Sequence, residues 1–229
     1  MQDKHFSEFW DKIHNKELAK NRALTVLKKI KEYNPDSKHV LELGVGTGNV
    51  LKYFKDTFVC YGIDIDPKYI EICQQKIPKG NFIVSSMNEF KIDKKFDTIF
   101  CIYDTLNFLT ELKQWDETFF NVKKHLNKNG IFIFDFYLPL ILDEMKDKAG
   151  WHEEFDFGMT TCAPVVKNDY LQWIFKISEK NKKQFKEYRY DFFERIFPRK
   201  DVLKLINKHF KILENHKISD GLRELFVVK

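Results

Sequence analysis

Three glycines spaced two residues apart constrain this chain more than any other feature. Gly44, Gly46 and Gly48 follow a short apolar run that carries an acid at Glu42, and Val45 lies between the first two glycines. Glycines at this spacing let a backbone turn sharply and approach a ligand closely, and the amide groups of such a turn form a polar cradle. The stretch therefore predicts a strand followed by a ligand-binding turn.

The glycine spacing separates two classes of nucleotide-binding turn. Dinucleotide-binding proteins carry Gly-x-Gly-x-x-Gly, whereas this chain reads Glu-x-Gly-x-Gly-x-Gly from Glu42 to Gly48. The third glycine comes one residue early, and an acid precedes the first. These differences disfavour a nicotinamide-dependent oxidoreductase.

Strand-like and helix-like patterns alternate through the first part of the chain. Apolar, β-branched runs predict strands, and apolar residues at three- and four-residue steps predict helices. This alternation predicts an α/β fold with a doubly wound, mostly parallel sheet, in which ligands bind beyond the carboxyl ends of the strands. The predicted strands cover residues 40–43, 57–63, 80–84, 96–102 and 131–136, and the predicted helices cover residues 6–33, 48–54, 111–126 and 140–146.

The pattern changes to a period of two after the last of these helices. Residues 170–177 and 185–196 alternate between two faces around a polar tract at 179–184, which predicts an inserted region of two to four antiparallel strands. The last predicted elements are a helix after Pro198 and strands at 210–216 and 224–228, which complete a seven-stranded sheet.

Composition and charge narrow the possible partners. The net charge of +5 comes from lysines scattered among acids rather than from a concentrated basic stripe, which disfavours nucleic acid. The longest apolar run, from Ile131 to Leu142, is interrupted by Asp135 and is too short to cross a bilayer. We therefore expect a small-molecule substrate, no membrane partner, and a monomer or homodimer.

The four cysteines have neither metal-binding nor disulfide spacing. Cys60, Cys73, Cys101 and Cys162 are widely separated and include no Cys-x-x-Cys pair. The N-terminus also lacks the apolar segment of a signal peptide. These features predict reduced thiols, no metal site and a cytoplasmic location.

Two acids follow the second predicted strand. Asp64 comes directly after the strand and about 20 residues after the glycines, where a carboxylate can accept hydrogen bonds from both hydroxyls of a ribose. Asp66 precedes Pro67, which favours the first turn of a helix. We therefore predict that Asp64 binds a nucleoside and that Asp66 caps the helix.

The glycine turn and the strand pattern together resemble the class I S-adenosylmethionine-dependent methyltransferases. The period-two insertion, the aromatic turn at Tyr103 and the ending from Gly221 to Val227 are similar to small-molecule N-methyltransferases of the sugar-amine and glycine types. The resemblance implies S-adenosylmethionine as cofactor, S-adenosylhomocysteine as product, and an amine nitrogen of a small molecule as the favoured acceptor. It divides a single domain, residues 1–229, into an N-terminal helical lid (1–35), a cofactor-binding core (38–140), an antiparallel insertion over the active site (150–197) and a C-terminal helix with an edge hairpin (198–229).

The resemblance also implies which residues hold the cofactor. Ser86 stands where the family commonly has an aspartate beside the adenine, and a serine can still accept a hydrogen bond. Trp10 or His14 would line the site from the helical lid. The implied set is Trp10, Glu42, Gly44, Val45, Gly46, Gly48, Asp64, Ile65, Ser86, Met87, Ile102 and Tyr103.

Methyl transfer by in-line displacement requires orientation and the exclusion of water more than covalent help. If the acceptor is an amine, a base is needed only to keep it unprotonated. Asp104, His152 and Glu194 are candidate bases, and Tyr188 is a candidate wall and orienting hydroxyl. Each also has a structural interpretation, such as a helix cap for Asp104 or an ion pair with Arg195 for Glu194.

Other methyltransferase classes stay open as alternatives. Adenine-N6 enzymes resemble one another in an (Asp/Asn)-Pro-Pro-(Tyr/Phe) motif after the fourth strand, and cytosine-C5 enzymes in a Pro-Cys. This chain reads Ile-Tyr-Asp-Thr from Ile102 to Thr105, so neither motif applies. An RNA or protein methyltransferase and a non-catalytic protein that binds S-adenosylmethionine are the alternative interpretations.

Overall fold

Two β-sheets organise the chain, and the computed structural model describes them over residues 4–13, 15–156, 158–181 and 184–229. The strands are β1 (His39–Leu43), β2 (Val59–Asp64), β3 (Asn81–Val84), β4 (Phe96–Cys101), β5 (Leu126–Tyr137), β6 (Trp151–Phe155), β7 (Gly158–Lys167), β8 (Tyr170–Asn181), β9 (Gln184–Arg195), β10 (Ile212–Ile218) and β11 (Arg223–Val228). The α-helices are α1 (Lys4–Ile13), α2 (Lys16–Tyr33), α3 (Pro67–Lys76), α4 (Leu112–His125), α5 (Leu140–Lys146) and α6 (Arg199–His209), with short 3-10 turns at Leu51–Tyr53, Thr105–Phe108 and Ser219–Gly221.

The larger sheet has seven strands in the order β10-β11-β5-β4-β1-β2-β3. Strands β1 to β5 pair in parallel, and β11 runs antiparallel to both β5 and β10. The prediction of a doubly wound, mostly parallel, seven-stranded sheet is confirmed. The carboxyl ends of β1, β2 and β4 meet at one edge of this sheet, which is where such folds bind ligands.

Both faces of the central strands are covered by helices. In β5, the side chains of Phe132, Phe134 and Phe136 pack in one cluster with residues of α4 and α6. The alternate residues Ile131 and Ile133 pack on the opposite face with residues of α2. A strand buried on both faces must be apolar at almost every position, which explains the near-continuous apolar run in this part of the sequence.

The predicted N-terminal helix over residues 6–33 is two helices rather than one. Asn15 separates α1 from α2, and its side-chain oxygen accepts a hydrogen bond from the Leu18 amide at 2.9 Å. This N-cap satisfies an amide that a continuous helix would have bonded to its own backbone, so α1 can take a separate direction. His14, a candidate lining residue, lies outside the described residues.

Two other boundaries differ from the prediction. The helix expected over 48–54 is only a 3-10 turn at Leu51–Tyr53, because its amides bond to carbonyls three residues back, as in Phe54 to Leu51 at 2.9 Å. The fifth strand begins directly after α4, at Leu126 rather than at residue 131, and pairs irregularly with β4 there.

The period-two region forms a separate four-stranded antiparallel sheet in the order β6-β7-β8-β9, hereafter the insertion sheet. The prediction of an antiparallel insertion is therefore confirmed, at four strands. Strands β8 and β9 extend into the polar tract that was predicted as their turn, and Lys182 and Lys183 of that tract lie outside the described residues.

Helix α1 lies between the insertion sheet and the glycine turn. The ring of Phe6 contacts Tyr190 and Phe192 at centroid distances of 4.5 and 4.8 Å. On the same helix, the Asp11 carboxylate accepts a hydrogen bond from Asn49 at 3.1 Å and forms an ion pair with Lys76. Because Asn49 directly follows the glycines, α1 contacts both the insertion sheet and the end of the glycine turn, and its role as a lid stays a prediction.

The four cysteines are buried as free thiols. Burial raises the pKa of Cys60 to about 12, as expected for thiols that behave as small apolar side chains. In the described part of the chain, no helix has both the length and the apolar character to cross a membrane. The cytoplasmic location stays a prediction.

Candidate active site

The glycine turn (residues 44–48) has the backbone that its sequence predicts. Gly44, Gly46 and Gly48 have φ angles of +67°, +53° and +76°, a region that side chains other than hydrogen disfavour. The amide of Val45 donates to the carbonyl of Ile63 at 2.9 Å, which fixes the turn against β2.

The surroundings of the three glycines show where a ligand can approach. A Cβ on Gly48 would lie 2.7 Å from the sulfur of Cys73, and a Cβ on Gly44 would collide with Thr105. A Cβ on Gly46 would meet nothing within 4 Å. The turn is therefore closed against its neighbours at two glycines and open at the middle one.

Asp64 lies beside the open glycine, at the carboxyl end of β2. Its carboxylate accepts the Gly46 amide at 2.8 Å on one oxygen and the Asp66 amide at 3.0 Å on the other. Burial raises the pKa of Asp64 to about 6. The Ile65 amide also bonds to this carboxylate, and because a carboxylate has about four acceptor sites, Asp64 keeps capacity for a hydroxyl group of a ligand.

Asp66 has the structural role predicted for it. Its side chain accepts the Lys68 amide at 2.8 Å and caps α3, with Pro67 in the first turn. The two neighbouring acids therefore have different tasks, because only Asp64 contacts the glycine turn.

Glu42 is a second buried acid beneath the glycine turn. Its Oε2 atom is buried and has no hydrogen-bond partner. Burial, and then the nearby charge of Asp64, raise its pKa well above the usual value. A buried polar atom without a partner is uncommon and costly, so it marks a place where a ligand donor could bind.

The ends of β2 and β3 present apolar surface at the same edge. Ile65 is 73% exposed and Val84 is 50% exposed, although both are aliphatic. Met87 packs at the margin of the core, and the Ser86 hydroxyl bonds to the side chain of Asn88. An exposed apolar surface beside polar groups is suited to a flat heterocyclic ring.

A strained turn follows β4. After the buried Ile102, Tyr103 and Asp104 have φ angles of +70° and +52°, which cost energy for residues other than glycine. The amides of both residues donate to the carboxylate of Asp135 in β5, at 3.4 Å and 2.7 Å. Asp135 therefore holds the turn in this conformation.

The same turn brings two predicted catalytic candidates into contact. The Asp104 carboxyl group bonds to that of Glu194, which lies in β9 and is 2% exposed. Burial raises the pKa of Asp104 to about 6, and burial together with the charge of Asp104 raises the pKa of Glu194 well above its usual value. Two buried carboxyl groups in contact do not both ionise readily, because the charge of one raises the pKa of the other.

Two arginines lie beside the acid pair (Asp104 and Glu194). Arg223 of β11 approaches Asp104 at 3.1 Å and Asp135 at 3.6 Å. Arg22 of α2 lies against the ring of Tyr103, and its buried Nη1 atom has no hydrogen-bond partner. Burial, and then the charge of Arg223, lower the pKa of Arg22 to about 10, so the guanidinium stays positively charged near neutral pH.

The other two catalytic candidates lie away from the acid pair. Tyr188 is on the same strand as Glu194 and packs near Phe6 and Phe9. His152 is exposed on β6, which is three strands from β9 in the insertion sheet, a separation of about 14 Å. Trp10 of α1 contacts Phe6 and Phe175 in the cluster that contains Tyr188.

Several residues of this site carried only a weak signal in the sequence. Asp135 interrupts an apolar strand, and a charge in such a position requires a buried partner. Arg223 lies within the ending from Gly221 to Val227 and has no signal of its own there, and nothing local marks Arg22 on an amphipathic helix. Within the described ranges, no cluster of three or more His, Cys, Asp or Glu side chains could hold a metal ion.

Comparisons with known proteins agree with this geometry. Residues 40–130 match a family described as a methyltransferase domain. A putative methyltransferase of Geobacillus sp. is 29% identical over 171 residues, covering 70% of this chain and 68% of that protein. The demethylmenaquinone methyltransferase of Thermotoga maritima is 30% identical over 177 residues, covering 71% of this chain and 72% of that enzyme.

Solved structures share the fold over nearly the whole chain. An S-adenosylmethionine-dependent methyltransferase from Clostridium acetobutylicum has a TM-score of 0.84 at 18% identity, covering 98% of this chain and 97% of that one. The sugar N-methyltransferase KedS8 from Streptoalloteichus sp. has a TM-score of 0.81 at 16% identity, covering 90% and 85%. At these identities the structures show a common fold. With the match to the Thermotoga enzyme over more than two thirds of its length, they establish that the chain belongs to the class I S-adenosylmethionine-dependent methyltransferase family.

Proposed function

We propose that the protein transfers the methyl group of S-adenosylmethionine to an amine nitrogen of a small molecule. The observation that carries this proposal is the contact between two turns at the carboxyl edge of the sheet. Gly44 of the glycine turn packs directly against Thr105, which follows Asp104 of the acid pair. A donor on the glycine turn and an acceptor beside the acid pair would therefore be neighbours.

The residues around the glycine turn offer groups that are suited to S-adenosylmethionine. Asp64 and the open Gly46 would hold the ribose, and the unpartnered Nη1 of Arg22 is a donor suited to the carboxylate of the methionine part. Ile65 and Met87, with the hydroxyl of Ser86, would border the adenine. When bound, S-adenosylmethionine supplies a methyl group activated by a sulfonium charge.

Helix α1 would act as a lid over this site. Trp10 lies on α1, and Asp11 of the same helix is bonded to Asn49 at the end of the glycine turn. Closure of this helix would exclude water and restrict the approach of the acceptor, and both effects favour an in-line displacement.

Two observations favour an amine acceptor. The acid pair lies beside the Gly44–Thr105 contact, where its negative charge would stabilise a positively charged substrate, and Arg223 offsets the charge of Asp135. Solved structures with the same fold include a sugar N-methyltransferase and an amino pentose methyltransferase. An RNA, a protein or a hydroxyl group as acceptor are the alternatives.

Calorimetric titration with S-adenosylhomocysteine tests the donor site, with NADH as the control ligand. We expect micromolar binding of the first and no binding of the second. Methyl transfer from radiolabelled S-adenosylmethionine to amino sugars, small amines, matched sugars without the amine, bulk RNA and a protein mixture then tests the acceptor. Labelling of the amines supports the proposal, whereas labelling of RNA or protein alone, or NADH binding alone, contradicts it.

A further inference from the structure

We infer that Asp104 and Glu194 work as one proton-sharing unit, which binds the acceptor as an ammonium ion and removes its proton before methyl transfer. This inference rests on the proposed function and specifies the acceptor as a protonated primary or secondary amine. It also assigns the catalytic base to a pair of residues from two different sheets rather than to one side chain.

The buried side-chain amide of Asn107 joins the two elements that carry the pair. Asn107 follows the turn after β4, and its side chain donates to the carbonyl of Arg195 at 2.9 Å and accepts from the amide of Tyr137 at 3.0 Å. Arg195 is the neighbour of Glu194 in β9. Asn107 therefore anchors the insertion sheet to the main sheet one residue from the pair, so the two carboxyl groups are held together rather than meeting by chance.

One buried oxygen of the pair has no hydrogen-bond partner. Glu194 bonds to Asp104 and accepts a hydrogen bond from the indole of Trp173, yet its Oε2 atom is buried and without a partner. A substrate N–H group would satisfy this oxygen. Because Glu194 is almost completely buried, the hydrogen-bond donor for this oxygen must be a group of the acceptor substrate that enters the site rather than bulk solvent.

The charges that face the pair leave it one unit negative. Arg223 bridges Asp104 and Asp135, so one positive charge offsets the carboxylate of Asp135. Arg22 also faces the pair, and its charge acts to lower the pKa of Asp104. Its unpartnered Nη1 atom is the group assigned above to the carboxylate of the donor, which would offset this second positive charge. Tyr137 and Trp173 are the neutral groups that border the pair. The single proton shared by two carboxyl groups leaves one negative charge, which matches one ammonium ion.

An N–H bond of the bound ammonium breaks, an O–H bond forms at Glu194 Oε2, and the pair changes from one negative charge to none. The electron pair of the broken N–H bond stays on nitrogen and becomes the nucleophile. The product leaves as the methylated ammonium, and the extra proton of the pair passes to water.

The test compares Glu194→Gln and Asp104→Asn with Asp191→Asn as the matched control. Asp191 is an exposed carboxylate of the same strand, paired with Arg189 on the surface, so its replacement removes one charge without touching the site. Glucosamine, ethanolamine and benzylamine serve as acceptors, with glucose as the acceptor that lacks an amine. The readouts are kcat against pH from 5 to 10 and the dissociation constant of S-adenosylhomocysteine.

We expect wild type and Asp191→Asn to lose activity as the pH falls below about 6, because the pair then becomes doubly protonated. Glu194→Gln should lower kcat about 100-fold at pH 7, and its kcat should recover as the pH rises toward the pKa of the free amine. Binding of S-adenosylhomocysteine should stay within about twofold of wild type. Asp104→Asn, which keeps the shape of the turn, should behave in the same way.

Three results would overturn the inference while leaving the proposed donor site intact. One is unchanged kcat and an unchanged pH profile in both variants. Another is transfer to glucose at the rate seen with glucosamine. The third is no transfer to any of the three amines by wild-type protein that binds S-adenosylhomocysteine. Failure of wild type to bind S-adenosylhomocysteine would instead contradict the proposed function itself.

Discussion

At the scale of single residues, Asp135 joins the turn after β4 to a buried arginine. Its carboxylate accepts the amides of Tyr103 and Asp104 and lies 3.6 Å from Arg223. Without it, two consecutive left-handed residues would lose the bonds that compensate their strain, and a buried arginine would lose one of its two acidic partners.

We predict that Asp135→Ala lowers the free energy of unfolding by about 3 kcal/mol, because it breaks a buried ion pair and exposes the strain of the turn. Urea denaturation of the ligand-free protein measures this change. Asp191→Ala, on the surface of β9, is the control and should change the free energy by less than about 1 kcal/mol. A loss of that small size in Asp135→Ala would show that other groups hold the turn.

Replacement of Asp64 tests the proposed ribose site. Asp64→Ala should weaken the binding of S-adenosylhomocysteine by about 1–3 kcal/mol, because the ribose hydroxyls lose a carboxylate acceptor and the amide of Gly46 loses its partner. Calorimetry measures the change, with exposed Asp36→Ala as the control. An unchanged affinity would mean that the ribose lies elsewhere, with Asp66 as the next acid to replace.

At the scale of elements, the break at Asn15 turns the N-terminus into two helices with separate tasks. Helix α2 packs against the large sheet and carries Arg22, whereas α1 packs on β8 and β9 and reaches the glycine turn through Asp11. Since Phe6 is buried against the insertion sheet, the position of α1 depends on that contact.

Phe6→Ala should therefore release α1. Removal of a buried phenylalanine costs about 3–5 kcal/mol. A loss of about 1.4 kcal/mol of this from lid closure corresponds to a tenfold weaker hold on the ligand. We expect S-adenosylhomocysteine to dissociate about tenfold faster, measured by stopped-flow fluorescence. Glu8→Ala, an exposed residue of the same helix, is the control. Equal dissociation rates in Phe6→Ala and wild type would argue against a lid.

At the scale of the whole molecule, the buried acids of the site affect how stability depends on pH. The pKa of Glu194 is raised in the folded state, mainly by burial, so the folded chain binds more protons than the unfolded chain between about pH 5 and neutrality. Stability from this group therefore falls as the pH rises. Bonds from Arg199 and Asn215 outweigh burial at Glu224 and lower its pKa, so its contribution is constant over the same range.

Glu194→Gln should become more stable relative to wild type as the pH rises from 5 to 7.5, with a slope of at most about 1.4 kcal/mol per pH unit. Urea denaturation at several pH values measures this slope. Glu224→Gln is the matched control, because it also removes a buried carboxylate and its stability cost should not change between these pH values. Parallel curves for the two variants would contradict a raised pKa at Glu194.

The sequence alone determined the parts of this protein that depend on neighbouring residues. The glycine turn follows from three closely spaced glycines that can adopt positive φ angles, and the cap follows from Asp66 placed directly before Pro67. Strand-like runs that alternate with helix-period segments predicted the large sheet, and a period of two predicted the insertion sheet. It predicted Asp104 and Glu194 as separate candidates, and it missed the break at Asn15 and the roles of Arg22, Asp135 and Arg223.

Only the tertiary structure decided that these charged residues belong to one site. Asp104 and Glu194 lie on different sheets, and their contact depends on how Asn107 joins the two sheets and on the strand register that sets Leu225 of β11 opposite Asp135 and Arg223 opposite Tyr137. Such contacts have no local signature, because strand pairing and burial act between residues far apart in the chain. The donor turn could therefore be predicted from a few neighbouring residues, whereas the acid pair required the assembled fold.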